Sequence, residues 1–259
     1  MALIELEWRG DVAIVRLNDP QTLNAVSLVM MEELSAALDE VEARARAMIL
    51  TGTGKGFCSG ANLAGGGLQG IGGPDYDAGA GLESHINPLM VRLTQLACPW
   101  ISAVNGAAAG VGASFALAGD LIIATEKAYF LQAFAKVGLV PDGGSTALLV
   151  KTIGRVRAME MMLLAERLPA AKALEWGLIN RVVAEEALLD EAVALAEQLG
   201  GGAASLRDIR KLAWTAVDGV FADSLAAERA AQRKAGHSKD HVEGVMAFVQ
   251  KRPAQFTGA

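Results

Sequence analysis

Cysteine is scarce in this 259-residue sequence, and so are the features of an exported protein. The two cysteines, Cys58 and Cys98, lie in apolar surroundings, and two are too few for a disulfide framework. We expect both to be small buried residues in a reducing compartment. Residues 1–5 alternate in polarity and include an acid, whereas a signal peptide needs a basic start and a continuous apolar stretch. We therefore predict a cytoplasmic protein.

An excess of positive charge is also absent. The chain has 23 basic and 29 acidic residues, a formal net charge of −6, and no basic stripe. General adhesion to nucleic acid or anionic membranes is therefore not expected, and any anionic ligand must be bound locally. With 52% hydrophobic and 20% charged residues, the composition is typical of a globular protein and excludes a disordered or fibrous one.

One uncharged stretch has the length of a membrane span. Residues 93–119 carry no charge and exceed the ~20 residues that cross a bilayer. Pro99, Asn105 and several glycines interrupt the stretch, and such a chain neither stays helical nor partitions well into lipid. It therefore predicts a buried strand, a turn and a buried helix, and we expect no membrane partner.

The apolar periodicity predicts an α/β fold. Residues 3–7 and 12–17 predict a hairpin, and residues 27–46 predict a helix capped by Ser27. An apolar strand at 48–51 gives a strand–helix–strand order, which implies a partly parallel sheet. Further strands are predicted at 100–104 and 121–124, and helices at 157–167, 170–176, 187–199, 205–217 and 221–235. The predicted organisation is an α/β core over residues 1–200 and a helical region over 201–259.

Two glycine-rich turns follow buried strands, at residues 56–63 and 105–112. Phe115 breaks the dinucleotide fingerprint in the second turn, and no Gly-Lys-Ser/Thr triplet forms a phosphate loop. Backbone N–H groups are unpaired at such turns, so two donors could converge on one oxygen. The alternative is that the glycines serve close packing only. The glycine-dense stretch 64–81 predicts a surface loop that either borders a ligand site or is a tolerated insertion.

Five motifs occur in order along nearly the whole chain. They are NDPQTLNA at 18–25, FCSGANL at 57–63, NGAAAGVG at 105–112, GLVPDGG at 138–144 and ALEWGLIN at 173–180. Together they resemble the crotonase superfamily of enoyl-CoA hydratases and isomerases. Within it, VPDGG and the closing KRPAQFTG at 251–258 resemble the 1,2-epoxyphenylacetyl-CoA and 3,2-enoyl-CoA isomerase types.

The resemblance implies a crotonase-like spiral of ββα units. Its C-terminal helical region would serve trimerisation and cover the acyl site as a lid. The implied substrate is an acyl-CoA thioester from fatty acid or phenylacetate catabolism. The implied assembly is a homotrimer or a dimer of trimers. No cofactor is implied, because the substrate carries the coenzyme A.

The resemblance also implies the residues of the site. The backbone N–H groups of Ala61 and Val111 would form an oxyanion hole for the thioester carbonyl. Family members usually have glycine at position 111; a β-branched residue still supplies its N–H but is poorly suited to a positive φ. The remaining contacts to substrate or coenzyme A are expected from Ala25, Ser59, Gly60, Asn62, Leu63, Gly110, Ser114 and Phe134.

Two carboxylates used by the family's hydratases are missing. The matching positions hold Ser114 and Phe134, and neither side chain can perform the acid and base steps of hydration. Isomerase-type members use one carboxylate at the position of Asp142, although an Asp at that point is also suited to cap the following helix. We predict a CoA-thioester isomerase that shifts a double bond, or rearranges a ring epoxide, through an enolate, with Asp142 as acid and base.

Three alternative functions stay open. The protein could be a hydratase (a lyase) completed by a second acid, for example from residues 75–83. It could be an acyl-CoA hydrolase or dehalogenase with Asp142 as nucleophile, although the dehalogenases have Trp where this chain has Phe134. It could also bind CoA thioesters without catalysis.

The three histidines predict no metal site. His237 and His241 lie four residues apart, but no third ligand is evident in the sequence. His85 borders the glycine-rich loop, and we interpret it either as an ordinary surface histidine or as a residue near the acyl group.

Overall fold

The computed structural model describes residues 2–62 and 73–258. The strands are β1 Ile4–Arg9, β2 Val12–Leu17, β3 Ala47–Gly52, β4 Gly56–Cys58, β5 Trp100–Val104, β6 Ala107–Ala109, β7 Leu121–Thr125, β8 Tyr129–Leu131, β9 Leu168–Pro169 and β10 Arg181–Val183. The α-helices are α1 Leu28–Arg44, α2 Asn87–Gln95, α3 Val111–Leu117, α4 Ser145–Leu164, α5 Ala170–Glu175, α6 Leu188–Gly200, α7 Ser205–Ala216, α8 Phe221–Ala235 and α9 Lys239–Gln250. The predicted α/β class is confirmed.

The larger sheet has the strand order β1-β2-β3-β5-β7-β10. β1 and β2 form the predicted antiparallel hairpin, and every later neighbouring pair is parallel. Helix α1 connects β2 to β3, and Ser27 caps it as predicted, because its Oγ accepts the Met30 N–H at 3.2 Å. The predicted partly parallel sheet is confirmed.

Both faces of the larger sheet are buried, which explains the continuous apolar runs of its strands. Val15 and Leu50 belong to a cluster on one face, which also includes apolar residues of α1. Ile14 and Ile49 belong to a cluster on the other face, against α6. The thiols of Cys58 and Cys98 are buried as expected, and burial raises their pKa to about 12 and about 11 respectively.

The smaller sheet has the order β4-β6-β8-β9, with β4, β6 and β8 parallel. The carboxyl ends of β4 and β6 therefore lie side by side at one edge of this sheet. The chain segments that leave that edge are residues 59–62 and the turn at Gly110. The smaller sheet thus brings the two glycine-rich turns together.

Several element boundaries differ from the predicted ones. The predicted helix 157–167 overlaps only the second part of α4, because Gly154, with φ 77° and ψ 158°, divides α4 into two helical stretches and breaks its apolar spacing. Strand β6 was not predicted, since three alanines carry no β-branched or aromatic signal. Strand β10 and helix α9 were also missed.

The uncharged stretch 93–119 folds into the end of α2, strands β5 and β6 and helix α3; β5 and α3 are the predicted buried strand and helix, and β6 is additional. Its strand and α3 residues are buried. In residues 2–62 and 73–258, no helix is long and apolar enough to cross a membrane.

The C-terminal helices are tied to the core by a buried arginine. Arg210 of α7 is 6% exposed, and its Nε donates to Asp120 Oδ2 at 2.6 Å. Its terminal nitrogens donate to three carbonyl oxygens at the end of α2, at 2.7 to 2.9 Å. Trp214 Nε1, one turn further along α7, donates to the other oxygen of Asp120 at 2.9 Å. Helix α7 is therefore clamped onto α2 and the larger sheet.

Candidate active site

The two glycine-rich turns touch each other at Gly60 and Gly110. A Cβ atom on Gly60 would lie 3.0 Å from the carbonyl oxygen of Ala109 and 3.7 Å from Cα of Gly110. Such close approach of two backbones is possible because these positions carry no side chain. The residues that follow the two glycines, Ala61 and Val111, are thereby placed at neighbouring positions.

The backbone of Ala61 is oriented by a bridge to Val26. The Val26 N–H donates to the Gly60 carbonyl at 2.7 Å, and the Asn62 N–H donates to the Val26 carbonyl at 2.8 Å. In a parallel bridge of this kind, the residue between the two bonded neighbours directs its own N–H to the opposite side. The N–H of Ala61 therefore points away from Val26.

Val111 begins helix α3, so its N–H has no acceptor within the helix. The positive φ at this turn falls on Gly110, with φ 53° and ψ −131°, and Val111 itself has no positive φ. A β-branched residue is therefore compatible with the turn. The difficulty raised by valine at a position where the family usually has glycine does not arise here.

Asp142 lies beside the first turn of α3, because the next residue packs directly against that helix. A Cβ atom on Gly143 would lie 2.8 Å from Ser114 Cβ and 3.4 Å from Val111 Cγ2. Gly143 has φ 55°, which glycine adopts without strain. The contacts bring Asp142 to the helix whose first residue is Val111.

The Asp142 carboxyl group is half-buried and poorly satisfied. Its Oδ1 atom is buried and finds no hydrogen-bond partner in the described part of the chain. Burial raises the pKa of this carboxyl from 3.8 to about 6, because the charged form loses its hydration. A perturbed carboxyl beside free backbone donors is typical of a proton-transfer site.

The helix-capping alternative for Asp142 is wrong. Helix α4 begins at Ser145, Gly144 is its N-cap residue, and no side chain makes a capping hydrogen bond there. The Asp142 carbonyl oxygen, by contrast, accepts hydrogen bonds from the hydroxyls of Ser114 and Ser145, each at 2.9 Å.

The structure places the other predicted contact residues around this centre. Phe134 is buried, and its Cζ lies 3.8 Å from the position of a Cβ on Gly110. Ala25 is buried next to the turn of residues 59–62, and Ser59 Oγ donates to the Thr22 carbonyl at 2.8 Å. Leu63 and residues 64–72 lie outside the described part of the chain.

Sequence reasoning missed two asparagines that brace the turns. The Asn24 amide donates to the carbonyls of Thr53 and Gly56, at 3.0 and 2.8 Å. The Asn105 amide donates to the Gly54 and Gly56 carbonyls at 3.0 and 3.1 Å. Both asparagines lie inside the recognised motifs, so an inventory of buried polar residues in the motifs would have found them.

His85 lies in a π-helical turn, Leu82–Ile86, with its Nδ1 2.7 Å from Ser84 Oγ. This turn leads into α2. Its contact with an acyl group stays a prediction. Across residues 2–62 and 73–258, no group of three or more His, Cys, Asp or Glu side chains is arranged to hold a metal ion.

A cleft of about 860 Å³ begins at the glycines that follow Asp142. Gly143, Gly144 and Ala147 form one wall, Met90 of α2 another, and Trp214 of the clamped helix α7 a third. The cleft is mixed in character, with Lys151, Arg207 and Asp208 among its lining residues, and Asp142 adjoins it only through Gly143. Its volume has room for the organic part of a substrate.

Fold and site together define a crotonase-like protein. The solved structure of the enoyl-CoA hydratase from Bacillus anthracis superposes with a TM-score of 0.92 at 30% identity, with 99% of this chain and 100% of that one covered. The enoyl-CoA hydratase from Polaromonas sp. JS666 gives a TM-score of 0.91 at 32% identity, with 98% of this chain and 99% of that one covered. The predicted crotonase fold, with helices at its C-terminal end, is confirmed.

Residues 7–259 match the family described as enoyl-CoA hydratase/isomerase. A relative from Escherichia coli K12, 1,2-epoxyphenylacetyl-CoA isomerase, is 43% identical over 95% of both chains. The mitochondrial enoyl-CoA hydratase of Pongo abelii is 35% identical over 95% of this chain and 83% of its own. This chain belongs to the enoyl-CoA hydratase/isomerase family.

Proposed function

We propose that this protein is a CoA-thioester isomerase that moves a proton between two carbons of its substrate. The observation that carries the proposal is a single half-buried carboxyl, that of Asp142, beside two backbone donors. Ser114 and Phe134 occupy the positions where the family's hydratases have glutamates. One group that alternates between base and acid is enough for isomerisation.

The proposed reaction of a 3-enoyl thioester has two proton transfers. The N–H groups of Ala61 and Val111 donate to the thioester oxygen, which lowers the cost of forming an enolate. The Asp142 carboxylate removes the proton at C2, and the double bond shifts from C3–C4 to C2–C3 as the same carboxyl group returns the proton at C4. The substrate keeps its atom count, and no water or cofactor takes part.

The raised pKa of Asp142, about 6, supports its role as base. A base is more effective when its pKa lies closer to the working pH, provided that the ionised form still predominates. Near pH 7.5, Asp142 is both ionised and more basic than an ordinary aspartate. The same value makes its protonated form a usable acid within the cycle.

The acyl group is proposed to enter the 860 Å³ cleft that begins at Gly143 and Gly144. Its size suits a linear enoyl chain or the ring epoxide of phenylacetyl-CoA, whose rearrangement also passes through an enolate-like state. The Escherichia coli relative, a 1,2-epoxyphenylacetyl-CoA isomerase, favours the ring substrate. Breakdown of fatty acids or phenylacetate in the cytoplasm is the setting that we propose.

A homotrimer, or a dimer of trimers, is the proposed assembly. Large apolar side chains are exposed on α8 and α9, including Phe221 at 77% and Phe248 at 85%. Exposed apolar surface of this extent is typical of an interface between protein chains.

The proposal is tested by two rates measured on the same enzyme preparation. We expect 3-hexenoyl-CoA to be isomerised at least about tenfold faster than crotonyl-CoA is hydrated, because hydration needs a second acid or base. Both reactions are followed by ultraviolet absorbance of the conjugated thioester. Faster or equal hydration would overturn the isomerase assignment in favour of a hydratase, which relatives named enoyl-CoA hydratase make the second candidate.

The same assay separates the remaining alternatives. Thioester binding without turnover of either linear substrate or of the ring epoxide of phenylacetyl-CoA would indicate a binding protein. Release of free coenzyme A, with acyl-Asp142 trapped by rapid quench, would indicate the nucleophilic mechanism.

A further inference from the structure

The main chain of Asp142 is held by an unusual number of donors. Its carbonyl oxygen lies 2.9 Å from Ser114 Oγ, 2.9 Å from Ser145 Oγ and 3.0 Å from the Ser145 backbone nitrogen. Both serine side chains are completely buried. Three donors on this one carbonyl oxygen fix the peptide group of Asp142. The carboxyl group takes no part in these hydrogen bonds.

The segment around Asp142 does not fix its own position. The two residues after it are glycines with φ values of 55° and 78°, and glycine has the largest backbone freedom of any residue. Of the three residues before it, Pro141 is half-buried, and Leu139 and Val140 are exposed, at 47% and 79%. A contact from another element is therefore needed to hold Asp142 at one place.

Ser145 cannot supply that contact, since it belongs to the same segment. Its hydroxyl also lies 3.2 Å from the Gln132 amide oxygen, and one proton cannot serve both acceptors. Gln132 Nε2 has no partner within residues 2–62 and 73–258. If the side-chain amide of Gln132 is rotated by 180°, its Nε2 donates to Ser145 Oγ. The Ser145 hydroxyl then donates its single hydrogen bond to the Asp142 carbonyl oxygen. The arrangement is local support for the carbonyl.

Ser114 supplies the contact from outside the segment. It lies on α3, three residues after Val111, so both residues face the same side of the first turn. The backbone at Gly143 packs against this pair of side chains, as the close Cβ approaches to Ser114 and Val111 show. A single helical turn thus carries a proposed oxyanion donor and the anchor of the proposed base.

We propose that Ser114 is a positioning residue, whose hydroxyl fixes Asp142 relative to the N–H of Val111. The inference rests on the proposed function, because it takes Asp142 as the proton-transfer group. Ser114 is 0% exposed, so its hydroxyl acts through Asp142, and this role replaces the direct substrate contact predicted for Ser114 from the sequence. A shift of the base by about 1 Å is enough to lower a proton-transfer rate strongly.

The test is Ser114→Ala, with Ser102→Ala as matched control. Ser102 is equally buried, but its hydroxyl has no partner in the described chain. We expect Ser114→Ala to lower kcat for 3-hexenoyl-CoA about tenfold, with KM within about twofold of wild type. Ser102→Ala should leave both within about twofold. Activities are normalised to the folded fraction from circular dichroism.

The pH profile separates positioning from a general loss of structure. Release of Asp142 exposes its carboxyl to water, so the acid limb of kcat/KM, which reports the free enzyme, should move to lower pH than in the wild type. Partial unfolding would lower the amount of active enzyme without moving the limb. If Ser114→Ala does not fold, Ser114→Cys retains the volume with a weaker donor and should give a loss of about threefold.

Two results would overturn the inference. The positioning role would be overturned if a folded Ser114→Ala variant, or Ser114→Cys in its place, had an unchanged kcat and an unmoved acid limb. In that case, loss of activity in Asp142→Asn would show that the proposed function still stands. Full activity in Asp142→Asn would overturn both the proposed function and the inference.

Discussion

Asp120 and Asp142 are two partly buried aspartates in very different surroundings. Asp120 accepts hydrogen bonds from the Trp100 backbone N–H at 2.9 Å, Arg210 Nε at 2.6 Å and Trp214 Nε1 at 2.9 Å. Asp142 has one buried oxygen with no partner in the described chain. Its backbone carbonyl, not its side chain, receives the donors.

The difference separates a structural carboxylate from the one that we propose to be reactive. A carboxylate surrounded by donors is held in one place by them, and its oxygens are occupied. A carboxyl whose charge is only desolvated is a stronger base, and it is available to a substrate. The fold uses its hydrogen bonds to fix the position of Asp142 and leaves its charge unpaired.

The contrast between Asp120 and Asp142 depends most strongly on whether Asp142 is needed for catalysis. Asp142→Asn keeps the size of the side chain and removes the base. We expect kcat for isomerisation to fall on the order of 10²–10⁴, with thioester affinity nearly kept. Steady-state kinetics and equilibrium binding of a saturated acyl-CoA measure the two quantities. Retention of more than about a tenth of wild-type kcat would contradict the assignment.

A second prediction tests the backbone N–H of Val111, the proposed oxyanion donor on the helix beside Asp142. Val111→Pro removes one N–H, and proline is tolerated at the first residue of a helix. We expect kcat to fall about 10²–10³. Val111→Ala keeps the N–H and serves as control, with kcat within a few-fold of wild type. Equal activity of the two variants, once circular dichroism shows both folded, would exclude this donor.

The third prediction concerns the structural carboxylate. Asp120→Asn leaves the buried guanidinium of Arg210 without its counter-charge, which should cost about 3 kcal/mol of folding free energy. Thermal unfolding should then occur roughly 6 to 12 °C lower. Asp39→Asn is the control: Asp39 pairs with Arg92 at 2.6 Å, but its side chain is 74% exposed, so about 0–1 kcal/mol is expected. Similar changes in Tm for Asp120→Asn and Asp39→Asn would contradict the structural role of Asp120.

The smallest expected effect is a gain in stability, whereas Asp120→Asn lowers stability. The pKa of Asp142 is raised to about 6 in the folded protein, so its ionised form is disfavoured there. The unfolding free energy of the wild type should therefore fall as pH rises from about 4 to about 6, and the Asp142→Asn variant, which has no carboxyl to ionise, escapes this loss. At pH 8 we expect Asp142→Asn to raise Tm by roughly 2 to 4 °C, the shift that about 1 kcal/mol gives.

The pH dependence supplies the check on that last prediction. Below about pH 4 the carboxyl is protonated in both folded and unfolded chains, and the gain in Tm should vanish. A gain that is constant between pH 4 and pH 8 would show that the carboxyl is not the cause. Differential scanning calorimetry at several pH values measures it.

Long, strongly patterned elements were predictable from the sequence. Helix α1 and strand β3 follow the apolar period closely, and Ser27 marks the start of α1. Strands of three residues, such as β6, were not predictable because alternation needs more residues to be visible. Local pattern also could not place the start of α4, where two glycines precede Ser145.

The candidate site was predictable only in part. Asp142, Ala61 and Val111 came from the resemblance of their motifs, and the structure brings their segments together. The link between Ser114 and the Asp142 carbonyl joins residues that are far apart in the chain, and no local pattern records it. The clamp between Arg210 and Asp120 escaped prediction for the same reason.

The first turn of α3 has a consequence for how such enzymes can diversify. A donor supplied by the main chain, as we propose for Val111, does not depend on the identity of the side chain. Substitutions at positions 114, 134 and 142 can therefore exchange one proton-transfer chemistry for another while enolate stabilisation is inherited unchanged. New reactions on this scaffold need few simultaneous mutations, because the hardest part of the catalysis is encoded in the backbone.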